Sequence, residues 1–356
     1  MAYPSAVTSL CAGKRRRSEC RVLKQEGTGE QKGSLCDKNK NKTYQEINLV
    51  VMKKLISLSV LALLPVMLMA QLTPVNDQYI LNPLTINPSY AGSRGGLSVA
   101  AFYRQQWVGI TGAPRTMSLE VDAPVLSNKL GLGLFVVNDQ IGVTKQTEFM
   151  TSYAFRIDVG SGTLALGLGV GLVATNTAWS DLVVLDPGDE YFLIDSKVFV
   201  VPDFSFGTYY TFKNYFLGFS IPRLLGYKFN FDRNKYSLQF DPGQYNYVLT
   251  TGYMFPLGQK ARVMPSALLS YSPGDRLLYD GSVHFILYDR LWLGATYRST
   301  GSVTALAQFA INNQFKVAYS YDFNFGKLGT YNNGSHEIML RYEFRYKVDV
   351  VNPLIF

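Results

Sequence analysis

Cysteine is absent from everything beyond Cys36. Cys11, Cys20 and Cys36 all precede Met52, in a spacing that fits no zinc motif and with no histidine near them. The later chain can form no disulfide, so hydrogen bonding and packing must hold it. Histidine is nearly as scarce, with only His284 and His336. No GxSxG, HExxH or phosphate-binding glycine loop occurs, so the chain reads as no enzyme, and no cofactor or metal is expected. Asp181, Asp186, Asp189, Glu190 and Asp195 crowd one segment without calcium-ligand spacing, and read as a solvated acidic loop.

An excess of one charge is also missing where it would matter. The formal net charge is +8. Of 34 basic residues, 12 fall in residues 1–70, with 5 of the 26 acidic ones, leaving 22 against 21 beyond Ala70. A nucleic-acid partner therefore loses its main support. Long apolar runs are missing too, except at Leu55–Met69. Fifteen residues rise about 23 Å as a helix, short of the roughly 30 Å hydrocarbon core. With Lys53 and Lys54 before the run and Ala70 after it, residues 52–70 form a secretory signal peptide, with cleavage expected after Ala70. No cysteine follows that cut to carry a lipid. A signal peptide works at the start of a chain, so Met52 is the expected start. Residues 1–51, polar and basic with KRRR at 14–17, read as a disordered upstream extension.

What is present from Leu97 onward is alternation. Phe315, Val317, Tyr319, Tyr321, Phe323 and Phe325 point one way; Lys316, Ala318, Ser320, Asp322 and Asn324 point the other. Fourteen such segments run from 97–106 to 335–346, most of them long enough for a tilted strand to cross a bilayer. The third and fourth fall at 129–138 and 146–158. Connections after even-numbered segments are short and those after odd-numbered ones longer, with 300–301 the one exception. The fold class is therefore all-β: a transmembrane outer-membrane antiparallel β-barrel of 14 strands at 97–346, with a tail at 347–356. The chain's 24 Tyr and 22 Phe suit a lipid-facing surface and its interfaces.

The inner face carries both signs, including Arg104, Glu120, Asp122, Glu148, Arg156, Asp203, Arg298, Lys316, Arg341, Glu343 and Arg345. A pore selecting one kind of ion would carry a field of one sign. Gly131, Gly133, Gly167, Gly169 and Gly171 also face inward, either to admit another backbone into the lumen or to serve strand curvature.

Residues 71–96, ahead of the first strand, form an N-terminal periplasmic or plug-like segment. They contain Asn82-Pro83, Asn87-Pro88 and Tyr90-Ala91-Gly92, and Tyr103-Arg104-Gln105-Gln106-Trp107 follows. Together with Gly334-Ser335-His336-Glu337-Ile338, these residues resemble the PorP/SprF family of type IX secretion system membrane proteins of the Bacteroidota. The resemblance implies a protein of the cell outer membrane that works with other type IX components in the periplasm and outer membrane. In gliding relatives it implies a role in exporting a surface adhesin cargo. The expected function is a non-enzymatic component for secretion or surface assembly, embedded in outer-membrane lipid. The alternative is a general diffusion channel or small-molecule uptake barrel. Asn82, Pro83, Asn87, Pro88, Tyr90, Ala91, Gly92, Arg104, Gln106 and Trp107 form the candidate binding set. They either dock the lumen or a partner, or merely cap the barrel.

Overall fold

The computed structural model describes residues 78–126, 128–182, 195–230, 235–273 and 277–344. The upstream extension, the signal peptide, residues 71–77, Asp186, Asp189, Glu190, Arg345 and the tail at 347–356 lie outside the described residues.

Alternation of apolar and polar residues gives strands whose two faces meet different surroundings, and fourteen of them close on themselves. They are β1 (Leu97–Gln105), β2 (Arg115–Val125), β3 (Leu130–Ile141), β4 (Thr144–Val159), β5 (Gly162–Thr177), β6 (Phe199–Phe212), β7 (Tyr215–Ile221), β8 (Tyr247–Tyr253), β9 (Ala261–Tyr271), β10 (Leu278–Leu287), β11 (Leu291–Arg298), β12 (Ser302–Ala310), β13 (Phe315–Asn324) and β14 (Ser335–Phe344). Each pairs antiparallel with its neighbours, and β14 pairs with β1 from Leu97–Phe344 to Gln105–His336. Closure leaves no open edge along the seam. The protein is a closed 14-stranded antiparallel β-barrel, and the alternation marks its two faces correctly. On β14, Ile338, Leu340 and Tyr342 are exposed while Glu337, Met339 and Arg341 are buried.

Chain entry at β1 and exit at β14 share one mouth, as do the connections at 126–129, 160–161, 213–214, 254–260, 288–290 and 311–314. Outer-membrane barrels turn tightly on the periplasmic side, so this mouth is the periplasmic one. On the outer side, the structure departs from the sequence expectation at the connection between β3 and β4. The third and fourth strands run on to Ile141 and Thr144, leaving Gly142-Val143 as the whole connection rather than a loop over 139–145. Ladder pairing continues here to Ile141 and Thr144, past the last alternating residues. Gly142, at φ +57°, makes the tight turn.

The wall is uneven. β4 and β5 have 16 residues each, β7 and β8 only 7. β6 pairs with β5 along nearly its whole length but with β7 only from Phe206. Pro202 falls in this singly paired half, where a missing N–H is tolerated. Above it, 226–230 and 235–239 form a separate hairpin.

The core sits inside the barrel. Tyr79, Ile80, Leu81, Ile86 and Tyr90, from the segment before β1, pack against wall residues such as Phe102, Phe216, Met264, Ile286 and Met339. Each buried apolar side chain contributes about 1.5–3 kcal/mol. The interior is therefore packed at this level rather than filled with water.

Candidate functional site

Residues 78–95 form a plug, and the two Asn-Pro pairs shape it. Proline suits the first position of a helical turn, and Pro83–Thr85 and Pro88–Tyr90 each form a single 3-10 turn. The two asparagines do different work. Asn87 caps its own turn, its Oδ1 accepting from Ser89 N at 3.0 Å, while its Nδ2 donates to the wall at Thr208 O, also 3.0 Å. Asn82 does not cap; its Nδ2 donates to the Glu120 carboxylate of β2.

Polar bonds hold the plug around the wall. Gln78 Nε2 donates to Ser320 Oγ and Glu337 O at 3.2 and 3.1 Å, and Tyr79 OH meets Ser282 Oγ at 3.1 Å. Ser220 Oγ donates to Ile86 O at 2.6 Å, Gly92 N to Asp122 Oδ2 at 3.0 Å, and Arg156 Nη2 to Ala91 O. Tyr90 packs edge-on against Tyr209, centroids 5.4 Å apart. Arg94 and Arg341 both donate to Leu81 O, at 2.6 and 2.7 Å. Buried polar groups are costly unless bonded, so each such pair ties the plug to one register.

The inward glycines admit this backbone. A β-carbon at Gly131 would collide with the Ala91 carbonyl, at Gly167 with the Ser89 amide, and at Gly207 with the Asn87 side chain. Gly169 and Gly171 instead face wall neighbours, Ser205 and Met150. The plug backbone thus accounts for Gly131 and Gly167 but not for Gly169 and Gly171.

The candidate binding set divides by position. Asn82, Pro83, Asn87, Pro88, Tyr90, Ala91 and Gly92 lie buried in the plug. Arg104 is buried in the wall, its Nη1 3.7 Å from Glu337. Gln106 and Trp107 lie at the outer rim, where Gln106 N donates to Pro114 O and Trp107 N to Ser335 Oγ. Two motif stretches far apart in sequence therefore meet across the β1–β14 seam: Arg104 opposes Glu337 and Gln105 opposes His336. Sequence reasoning missed Gln78, Tyr79 and Arg94. The signal for Arg94 was legible, since it is the one basic residue in the stretch 78–96.

The mixed-sign lumen resolves into pairs: Arg298 with Asp280 at 2.9 Å, Lys316 with Glu343 at 3.0 Å, and Arg223 with Asp203 and Glu148 at 2.9 and 3.0 Å. In the outer acidic loop, bonds from the Ser180 amide and hydroxyl hold Asp195 below the usual carboxylate range. Among the described residues, no group of three or more His, Cys, Asp or Glu is placed to hold a metal.

The model of the type IX secretion system membrane protein family PorP/SprF matches residues 68–342, spanning plug and barrel together. The chain belongs to that family. It is an outer-membrane component of type IX secretion, and membership implies interaction with other components of that system. Among solved structures, Acinetobacter baumannii Omp33 is similar at 8% identity and TM-score 0.43, over 71% of this chain and 100% of that one. A Pseudomonas aeruginosa FadL homologue aligns at 10% identity and TM-score 0.40, over 77% and 95%. Outer membrane phospholipase A from Escherichia coli aligns at 12% and 0.33, over 76% and 99%. No curated protein matches in sequence.

Proposed function

We propose that this family member is a non-enzymatic factor supporting secretion or surface assembly of a cargo such as a gliding adhesin, and that the plug is its working element. The carrying observation is that the family match takes in the plug as well as the barrel. The plug's Asn-Pro turns are specified residue by residue, beyond what an open tube needs. A general diffusion channel is the weaker reading, because the lumen is packed at plug level and several of its charges are paired.

The test is export in a deletion strain complemented with wild type or Asn87→Ala. Losing the Asn87 bonds to Thr208 and Ser89 costs on the order of 1–3 kcal/mol locally, too little to undo fourteen paired strands. Barrel abundance is expected to persist while surface adhesin falls. A parallel fall of both would mean that the segment only caps the barrel.

Export into the periplasm is assigned to the cleavable signal at 52–70. The outer-membrane form is expected to begin at Gln71, read by mass spectrometry of purified membranes. Recovery of peptides from residues 1–51 would overturn that start.

A further inference from the structure

Charge is divided sharply between the two faces of the barrel wall. Inward positions of the fourteen strands carry both signs. Among the described strand residues, the outward positions carry only two ionised side chains, Arg115 and Lys145, both basic and both exposed. They stand in one row across the outer ends of six strands. From β14 to β5, His336 opposes Gln105, Gln105 opposes Arg115, Arg115 opposes Gln140, Gln140 opposes Lys145, and Lys145 opposes Asn176. Two strand spacings separate the cations, roughly 10 Å at the backbone.

Toward the periplasm the same face turns apolar, with Ile338 on β14, Met117 and Leu119 on β2, and Phe149 on β4 all exposed. Tyrosines mark the boundary: Tyr103 OH donates to Gln105 Oε1 at 3.3 Å, and Tyr319 OH meets His336 Nδ1 at 2.7 Å. Tyrosine favours the level of the lipid headgroups, so the row lies where the outer leaflet's headgroups meet the wall. Acids nearby are turned away or engaged. Asp139, on the inward face of β3, accepts from Thr116 Oγ1 at 2.6 Å, and Glu148, on the inward face of β4, pairs with Arg223. In the loop past β5, Asp195 accepts from Ser180. Neither Arg115 nor Lys145 forms an ion pair with a described acid, Asp181 of that loop included. Arg115 Nη2 donates to Gln140 Oε1 at 2.9 Å, which sets the guanidinium along the row and leaves its other donors for a ligand.

We propose that Arg115 and Lys145 hold the phosphates of an outer-leaflet glycolipid of the lipid A type. An outward surface with two cations and no acid complements a phosphorylated headgroup and no neutral one. The guanidinium takes a phosphate as a fork and the ammonium takes one as a point charge. Side-chain amides of Gln105 and Asn176 meet sugar hydroxyls, and acyl chains lie along Met117 and Leu119. This assignment goes beyond the secretion reading and does not rest on it. It is tested on purified protein, so its failure would leave the export result standing.

The probe is diphosphoryl lipid A, set against the same lipid with both phosphates removed. The fraction of protein carrying one lipid is read by native mass spectrometry of the barrel purified from membranes in detergent. The phosphorylated lipid is expected to bind at least about tenfold more tightly than its dephosphorylated form, and to weaken with salt. Arg115→Gln with Lys145→Gln is expected to remove that preference while leaving the dephosphorylated lipid unaffected. Lys213→Gln, in the periplasmic turn between β6 and β7, is expected to change nothing. Inorganic phosphate in millimolar excess is expected to leave the lipid bound. Each variant is first checked for the heat-modifiable barrel band, and the two single variants replace the double one if that band is absent. Equal retention of the two lipids, a preference that survives loss of both cations, or displacement by inorganic phosphate alone would overturn the proposal.

Discussion

Leu340→Arg is expected to strip the outer membrane of folded barrel. Leu340 lies midway along β14, 46% exposed, opposite Ala101 of β1 and Val317 of β13. Its side chain points at lipid, where arginine near the bilayer midplane costs about 2–4 kcal/mol. The burden is worse on this strand because β14 closes the barrel: a failed seam frees edges on both β1 and β14. Asn313→Arg, in the exposed turn between β12 and β13, is the matched control and is expected to be harmless. The readout is the fraction of heat-modifiable band in membrane extracts. Comparable bands from the two variants would mean that β14 faces the other way. An inward arginine would not serve as the control. Ser320 is 1% exposed and accepts from Gln78 of the plug, so Ser320→Arg would collide with the plug.

That point marks where the sequence stops being legible. Alternation placed all fourteen strands and both faces, because a period of two follows directly from strand geometry and lipid on one side. It lost the ends of β3 and β4 because ladder pairing runs past the last alternating residues there. It showed that Gly131 and Gly167 face inward but not what they face, since a backbone lying across a strand leaves no periodic trace. The candidate residues were visible as turn formers and as a charge, Arg104. Their partners were not, because the contacts of Asn82 with Glu120 and of Arg104 with Glu337 span 38 and 233 positions of sequence and depend on how the barrel closes.

The plug itself gives the sharpest test of the interior. Gly131→Val with Gly167→Val puts a branched side chain where the Ala91 carbonyl and the Ser89 amide now lie. Overpacking against side chains costs about 1–3 kcal/mol per site, and here the obstacle is backbone, which cannot rotate away. The strands themselves lose nothing: β3 keeps its ladders to β2 and β4, β5 its ladders to β4 and β6, and valine favours a strand. Strain of this kind is relieved at least cost by releasing the plug, whose link to the wall is a set of separate polar and apolar side-chain contacts rather than a continuous ladder. The double variant is therefore expected to keep its heat-modifiable barrel, to become cleavable by protease within residues 78–95, and to show stepwise conductance in planar bilayers where wild type stays closed. Gly281→Val provides the control, because that glycine points outward with nothing within 4 Å, and it should behave as wild type on every count. A double variant that stays protease-resistant and closed would show that the plug has another seat in the lumen. Loss of the barrel band in the double variant but not in Gly281→Val would show instead that the plug is needed to form the barrel.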